Sequence, residues 1–444
     1  MPVEGRMPVG TGRATSAVIV GAGLIGLCTA FELCRAGFEV TVVDRVAAGS
    51  GASRGNAGEI TPLSVLPLAG PGMIREMIGG VLSRSGPLSI SPASLPALMP
   101  FGAGFARACL RSGVVRGTEA LVRLARGVLA SFEALEDAGV PLEGGGRGFL
   151  YTDADPHRLR AAREHAAARA ELLGVEAPHP VLEGAALREF EPALNEGVPA
   201  GYFAPSERYL DPGRFVDGLI SRLRRDGVRF VEHTPVTGLS SRGGRVRVEL
   251  AGHEPLTAER VVVAAGAWSG RLLRGAGVRV PIAPGKGYSV TVPIETMPRS
   301  LVHSSPNRVV ATPMSGRLRI VGIMEFDGSY DRLNTDRIDL ILARAGAFLR
   351  GLDIASRTEE WVGPRPMTPT GLPLIGEVRG LPGVILAAGH NMHGLSLAPV
   401  TASIVAQLAR GERPSIGGVA LDMRPFRVSS AARRSPPTGR AAPR

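Results

Sequence analysis

The segment from Ala17 to Asp44 constrains the fold more than any other part of the chain. An apolar β-branched run leads into Gly21-Ala22-Gly23-Leu24-Ile25-Gly26, a helical pattern follows, and a second β-branched run ends at the acid. In a βαβ unit of this kind the first glycine makes the turn, the second admits a pyrophosphate and the third lets the helix pack on the strand. The helix N-terminus faces the phosphates and the acid accepts hydrogen bonds from a ribose. The segment therefore predicts dinucleotide binding, against the alternative of a purely structural glycine turn.

Composition places the chain among globular proteins large enough for two domains. Its 444 residues are 44% hydrophobic and 20% charged, which excludes disorder for the bulk of the chain. The formal net charge is +11, but the last 18 residues alone hold five arginines and no acid. This low-complexity tail is expected to be unstructured. We expect no nucleic-acid partner, although a nucleotide-binding module whose basic tail recruits nucleic acid is the alternative from another class.

The three cysteines, Cys28, Cys34 and Cys109, form no C-x-x-C pair. Neither a disulfide framework nor a metal site is predicted, and the cysteines fit a reducing cytoplasm. We expect no signal peptide before the first strand, and no apolar run approaches the roughly 18 residues of a membrane span. We expect a cytoplasmic protein that at most lies peripherally on the inner face of a membrane.

Two further segments look like ligand contacts. Small residues fill the loop from Ala48 to Gly58, as where a backbone passes close to something flat or anionic, although a flexible surface loop is the alternative. The apolar run from Arg260 to Gly266 ends in small residues, as expected of a central strand whose carboxyl end abuts a ligand. Helical spacing predicts one helix over Thr118–Ala138 and another over about His157–Leu173.

Motifs later in the chain, together with the Gly21 unit, resemble those of a known protein family. The chain resembles the bacterial D-amino-acid dehydrogenases, which belong to the flavin-dependent D-amino-acid and glycine oxidase superfamily. The resemblance spans essentially Ser16 to Arg413. Five separated matches carry it in the family's order: the Gly21 unit, Asn56-Ala-Gly-Glu-Ile-Thr-Pro62, Lys286-Gly-Tyr-Ser289, Trp361 to Gly376 with its R-P-x-T-P-x-G-x-P pattern, and Val384 to Gly394 with a G-H-x-x-x-G loop.

The resemblance implies FAD as cofactor and removal of a hydride from the α-carbon of a D-amino acid. The resulting imino acid hydrolyses to a 2-oxo acid and ammonia, and a quinone or another carrier takes the electrons. A relative that acts on glycine, sarcosine or D-proline-like amines is the alternative within the same superfamily. No metal is expected.

The resemblance also assigns residues. Arg365 binds the substrate carboxylate through two parallel charge-assisted hydrogen bonds, unless it is a surface arginine in a Pro-rich loop. Tyr288 lines the pocket or packs in its sheet, and His390 lies in the loop over the flavin. Lys286 stabilises the reduced flavin or blocks a strand edge. The residues implied to bind FAD are Gly21, Ala22, Gly23, Ile25, Gly26, Asp44, Arg45, Ser53, Asn56, Ala57, Gly58, Val236, Ala265, Gly266, Gly389, Met392 and Gly394.

The expected fold class is α/β, with a doubly wound, Rossmann-like FAD-binding domain and a discontinuous α+β substrate domain. The FAD-binding domain is expected to comprise residues 16–82, 194–275 and 358–424. The substrate domain takes the intervening residues 83–193 and 276–357. Residues 1–15 and 425–444 are expected to be disordered.

Overall fold

The computed structural model describes residues 15–70, 72–82 and 86–428. Almost all of the expected disordered N-terminus, and the basic tail after Val428, lie outside this range. Residues 425–428 of the expected disordered tail are within the described range, and Phe426 is fully buried in a hydrophobic core. Among the described residues, no helix has both the length and the apolar character needed to cross a bilayer.

The described elements alternate along the chain as follows. The helices are α1 Leu24–Arg35, α2 Met73–Leu82, α3 Leu95–Ala108, α4 Arg111–Ala125, α5 Val128–Asp137, α6 Pro156–Leu173, α7 Gly184–Phe190, α8 Pro212–Arg225, α9 Ser269–Gly275, α10 Thr335–Gly346 and α11 Gly394–Ala409. The strands are β1 Ser16–Val20, β2 Glu39–Val43, β3 Glu59–Ile60, β4 Leu88–Ile90, β5 Gly146–Asp153, β6 Leu182–Glu183, β7 Ala200–Tyr209, β8 Arg229–Val231, β9 Val236–Arg242, β10 Arg245–Leu250, β11 His253–Ala258, β12 Arg260–Val263, β13 Ala283–Val292, β14 Leu301–Ser304, β15 Val309–Met314, β16 Arg317–Phe326, β17 Thr358–Met367, β18 Leu374–Glu377, β19 Val384–Ala388, β20 Ser415–Ile416 and β21 Val419–Ala420.

The first sheet contains six strands in the order β18-β19-β12-β1-β2-β8. All neighbours are parallel except β18, which runs antiparallel to β19. Both faces of β1 are covered, since Ile19 packs into a core with α1, α8 and α11 while Val18 packs into a core with the β9–β11 sheet. This double burial explains the continuous apolar runs in the sequence. The predicted Rossmann-like domain is confirmed, with an antiparallel sheet rather than helices over much of one face.

The second sheet has its strands in the order β17-β13-β16-β15-β14-β5-β7-β3, with β4 beside β16 and β6 beside β7. Most pairs are antiparallel, as expected of an α+β substrate domain. Helix α10 covers one face, where Ile338, Ile341 and Leu342 pack against residues of β13, β15 and β16. The opposite face looks toward the first sheet.

Several segments pack with the other sheet from the one that the predicted domain boundaries imply. Strands β3, β7 and β17 belong to the second sheet, although the expected FAD-binding domain includes residues 16–82, 194–275 and 358–424. Helices α4 and α5 pack into the core of the first sheet, although they fall within the predicted substrate domain. The predicted single helix over 118–138 is these two helices, which are separated at Arg126 and Gly127. The alternation of apolar and polar residues shows which side chains of a strand share a face. It does not show which sheet the strand joins, so the sequence could not assign these segments to a domain.

Candidate active site

A cavity of about 1320 Å³ extends from the carboxyl ends of β1, β2 and β12 to the second sheet. Ordinary small-molecule sites have volumes of about 300–1,000 Å³. The cavity is therefore large enough for an extended cofactor together with a small substrate. Among the described residues, no cluster of His, Cys, Asp or Glu side chains has the arrangement of a metal site.

The glycine turn at one end of this cavity has the geometry that the motif predicts. Gly21 has φ +111°, and a Cβ there would lie 2.5 Å from the carbonyl oxygen of Ala264. A Cβ on Gly26 would lie 1.8 Å from the carbonyl oxygen of Gly21, so α1 packs directly on the turn. Gly23 lines the cavity, where a Cβ would meet only the Ser53 hydroxyl. The turn thus exposes backbone and a helix N-terminus to the cavity, which fits a bound pyrophosphate.

Asp44 is fixed beside this turn by backbone donors. Its carboxylate accepts hydrogen bonds from the N–H of Ala22 at 2.7 Å and from that of Val46 at 3.1 Å. Burial raises its pKa, which those backbone donors oppose. The residue lines the cavity, where it is placed to accept from a ribose hydroxyl.

The loop of small residues is held against the second sheet. The carbonyl oxygen of Ala57 accepts a hydrogen bond from Thr312 at 2.8 Å, and that of Arg54 accepts one from Arg319 at 2.8 Å. A Cβ on Gly55 would lie 2.0 Å from the ring of Trp361, which lines the cavity. The alternative of a flexible surface loop is therefore wrong.

Most of the residues predicted to bind the cofactor line the cavity, and four do not. Ala22, Gly26, Gly58 and Gly389 do not line its wall, and their predicted contact with FAD stays a prediction. Gly58 also has a steric role, since a Cβ there would lie 2.0 Å from the carbonyl oxygen of Leu210. The predicted residues that do line the cavity are Gly21, Gly23, Ile25, Asp44, Arg45, Ser53, Asn56, Ala57, Val236, Ala265, Gly266, Met392 and Gly394.

Arg365 lines the cavity from β17, and its guanidinium lies flat on the neighbouring strand. Its Nη1 donates a hydrogen bond to the carbonyl oxygen of Ile323 at 2.9 Å. A Cβ on Gly287 would lie 2.2 Å from both Cζ and Nη1 of the guanidinium. Burial lowers the pKa of Arg365 to about 10, an effect that nearby Glu59 opposes. The group remains a cation at neutral pH, and the alternative of a surface arginine is wrong.

The carbonyl oxygen that accepts the hydrogen bond from Arg365 belongs to Ile323, whose backbone is strained. Ile323 has φ +52°, a conformation that is an outlier for a β-branched side chain. The pairing between β13 and β16 shifts register at this point, which marks a bulge. Strain of this kind persists only where the surrounding structure enforces it, and it is common at functional sites.

Of its two expected roles, Tyr288 packs in its sheet and does not line the pocket, because the side chain lies on the opposite face of β13 from Gly287. It is fully buried in the core under α10, and its hydroxyl donates to Glu325. Lys286 is also fully buried, with its ammonium 2.9 Å from Glu325 and 2.8 Å from Asp327. Neither residue lines the cavity, and β13 is an interior strand. Lys286 therefore neither faces the cavity nor protects a sheet edge.

His390 lines the cavity in the loop before α11, and its ring is held by a hydrogen bond. Its Nε2 lies 2.9 Å from the hydroxyl of Thr401. Burial lowers the pKa of His390 to about 3 and also lowers the pKa of His393, whose Nε2 donates to the carbonyl oxygen of Leu66 at 2.8 Å. Both rings are neutral at physiological pH, so neither suits a cationic role.

Polar and aromatic residues missed by the sequence interpretation form the far end of the cavity. Tyr151 and Tyr202 are directly paired across β5 and β7, and their rings stack at 5.1 Å. The Tyr151 hydroxyl lies 2.7 Å from that of Ser64. Glu59 and Arg169 line the same cavity. Glu59 lies within the quoted Asn56 motif, whereas the two tyrosines are 51 residues apart in sequence and share no motif.

Comparison with known proteins agrees with this geometry. The family model described as FAD dependent oxidoreductase matches residues 16–408. A D-amino acid dehydrogenase 2 of Ralstonia nicotianae is 32% identical, over 90% of this chain and 97% of its own. A D-amino acid dehydrogenase of Cereibacter sphaeroides is 33% identical, over 90% of this chain and 92% of its own.

Among solved structures, glycine oxidase from Geobacillus kaustophilus superposes with a TM-score of 0.68 at 24% identity, covering 94% of this chain and 99% of its own. That likeness concerns the fold, and it supports the arrangement of the two sheets around one cavity. The family match covers most of the chain, including the glycine turn, Arg365 and the loop of His390. The chain therefore belongs to the family of FAD-dependent oxidoreductases, and FAD is its cofactor.

Proposed function

We propose that the protein oxidises D-amino acids at the α-carbon. The observation that carries this proposal is the half-buried, fixed guanidinium of Arg365 inside the same cavity as the glycine turn. A cation in that position suits a substrate carboxylate, and the similar dehydrogenases of Ralstonia nicotianae and Cereibacter sphaeroides support an amino acid of D configuration. When bound, FAD supplies the hydride acceptor.

The chain's own part in this reaction is binding and orientation. With FAD bound, the turn from Gly21 to Gly26 would hold its pyrophosphate, Asp44 would hold a ribose, and the loop from Gly389 to Gly394 would lie beside the ring system. Arg365 binds the carboxylate with its remaining N–H groups, which fixes the direction of the Cα–H bond. The two sheets surround the cavity, and this enclosure limits the access of water to the reacting centre.

The side chain of the amino acid is assigned to the aromatic end of the cavity. Phe149, Tyr151 and Tyr202 line that end, and aromatic rings give large apolar contact areas. His303 also faces it, and burial lowers its pKa to about 4, so the ring adds no positive charge at neutral pH. The aromatic rings favour an apolar side chain, and Arg169, which lines the same cavity, donates to the carbonyl oxygen of Leu63 at 2.7 Å.

A quinone or a similar carrier is the proposed electron acceptor, as the name dehydrogenase of the similar proteins indicates. The product imino acid then hydrolyses to a 2-oxo acid and ammonia, which is a step of amino-acid catabolism. We place the protein in the cytoplasm, with peripheral contact to the membrane where a quinone is the acceptor.

Anaerobic mixing of the FAD-loaded protein with single amino acids tests the proposal. Loss of the flavin absorbance band is expected with D-amino acids such as D-alanine and not with their L-isomers. The panel includes glycine, sarcosine and D-proline, which separate the alternative within the superfamily. Reoxidation is then followed with a soluble quinone and with oxygen. Bleaching by L-isomers alone, or by none of the panel, would refute the proposed substrate.

A further inference from the structure

We propose that Glu59 binds the ammonium group of the substrate and accepts its proton. Arg365 and Glu59 then form one site for a zwitterion, with the cation on the substrate's carboxylate and the carboxylate on its ammonium. This inference rests on the proposed function and assigns the proton acceptor for that reaction.

The short strand β3 directs Glu59 into the cavity. Glu59 and Ile60 pair with Tyr209 and Arg208 of β7. Because successive residues of a strand point to opposite faces, the burial of Ile60 in the first core turns Glu59 the other way, where it lines the cavity. The hydroxyl of Ser396 donates to the carbonyl oxygen of Glu59 at 2.8 Å, which holds the strand against α11.

The turn before β3 is also fixed by hydrogen bonds. The side chain of Asn56 accepts from the N–H of Gly58 at 2.8 Å and donates to the carbonyl oxygen of Ser53 at 2.5 Å. The backbone around Glu59 is therefore held on both sides. A fixed backbone is what a group that must meet one substrate atom requires.

Glu59 differs from the other carboxylates that line the cavity in its electrostatic neighbour. Asp44 accepts hydrogen bonds from backbone N–H groups, Glu76 pairs with Arg308 at 2.9 Å and Asp153 pairs with Arg158. The carboxylate of Glu59 instead interacts with the charge of Arg365.

The groups that act electrostatically on Glu59 come from three strands. Arg365 on β17 favours the ionised form of Glu59. The charge of Glu59 in turn raises the pKa of Glu207 on β7 and the pKa of Tyr151 on β5. Burial is the largest influence and raises the pKa of Glu59 to about 7. A base with a pKa near the working pH combines the correct protonation state with a strong driving force for proton transfer.

The chemistry needs such a group because an amino acid carries an ammonium at neutral pH. In the proposed step an N–H bond breaks and an O–H bond forms on the Glu59 carboxylate. The freed lone pair forms the C=N bond as the α-hydrogen leaves with its two electrons to FAD, the oxidant of this family. The substrate thereby loses one proton and one hydride and becomes the imino acid.

The test compares Glu59→Gln, which removes the charge and keeps the shape, with wild type and with Glu76→Gln. Glu76→Gln removes a cavity carboxylate that is already paired with Arg308. Anaerobic flavin reduction by D-alanine is measured against pH. In wild type and in Glu76→Gln, the rate of flavin reduction is expected to rise with pH through about 7, since Glu59 must be ionised to accept the proton. Glu59→Gln is expected to lose that rise and to reduce its flavin about 10²-fold more slowly or worse.

Ligand binding separates this role from a merely structural one. Propionate carries the carboxylate without the ammonium, and its binding is followed by the change in the flavin spectrum. Glu59→Gln is expected to bind propionate as tightly as wild type does. Equal loss of propionate binding and flavin reduction, or an unchanged rise with pH in Glu59→Gln, would overturn the inference. Failure of wild type to be reduced by any amino acid would instead refute the proposed function.

Discussion

Gly287 is predicted to be essential to the position of Arg365, although it touches no substrate. A methyl group there would lie 2.2 Å from Cζ and Nη1 of the guanidinium, whereas ordinary contact begins at 3.4 Å. In Gly287→Ala the guanidinium must therefore move by about 1.2 Å. Its 2.9 Å hydrogen bond to the carbonyl oxygen of Ile323 is then broken or badly bent.

The size of the effect follows from that displacement. A misplacement of about 1 Å at a group that orients the substrate costs about 10²-fold in rate, or about 2.7 kcal/mol of transition-state stabilisation. We expect Gly287→Ala to lower kcat/KM for flavin reduction by a D-amino acid by this factor. Its affinity for propionate is expected to fall as well, because both ligands use Arg365.

Gly285→Ala is the matched control on the same strand. A methyl group there would lie 2.7 Å from Cγ of Met367 and 3.1 Å from Cζ of Phe326, away from Arg365. Overpacking of such a core costs about 1–3 kcal/mol. We expect Gly285→Ala to lose unfolding free energy and to keep flavin reduction within a few-fold of wild type. Wild-type kcat/KM in a folded Gly287→Ala variant would refute the reasoning.

Three further predictions concern other parts of the molecule. Gly21→Ala places a Cβ 2.5 Å from the carbonyl oxygen of Ala264 at φ +111°, so the purified variant is expected to contain little or no FAD; normal FAD content would contradict the role of the turn. Tyr288→Phe loses the hydrogen bond to Glu325, so we expect calorimetry to show a loss of about 1.5–3 kcal/mol of stability, while flavin reduction stays unchanged. Burial raises the pKa of Glu207 to about 8 from its ordinary 4.5, so the native state keeps a proton that the unfolded state releases, and wild-type stability falls as pH rises through this window. Glu207→Gln cannot lose that proton, so its melting temperature relative to wild type should rise from about pH 5 to about pH 9, and a difference independent of pH would contradict the shift.

The sequence was informative where chemistry depends on contiguous residues. The roles of Gly21 and Gly26 follow from spacing within one βαβ unit, because the turn, the helix and both strands are local. The structure confirms both steric roles, with carbonyl oxygens where their Cβ atoms would stand. Arg365 is identified through its family motif, and its position in the cavity wall is compatible with that assignment.

The sequence was uninformative where position depends on pairing between distant strands. Tyr288 and Gly287 are neighbours in sequence, yet only the register of β13 decides which of them faces the cavity. The stacked pair of Tyr151 and Tyr202 depends in the same way on the register between β5 and β7. Glu59 lay within a recognised motif, but its significance rests on its proximity to Arg365, 306 residues later.

The central claim is that FAD and a substrate carboxylate share one cavity, with the pyrophosphate on the glycine turn and the carboxylate on Arg365. A crystal structure of the FAD-loaded protein with bound propionate tests it most directly. The account predicts the pyrophosphate at the turn from Gly21 to Gly26 and both carboxylate oxygens within about 3 Å of guanidinium nitrogens of Arg365. A carboxylate bound elsewhere in the cavity, with Arg365 still held only by Ile323, would contradict it.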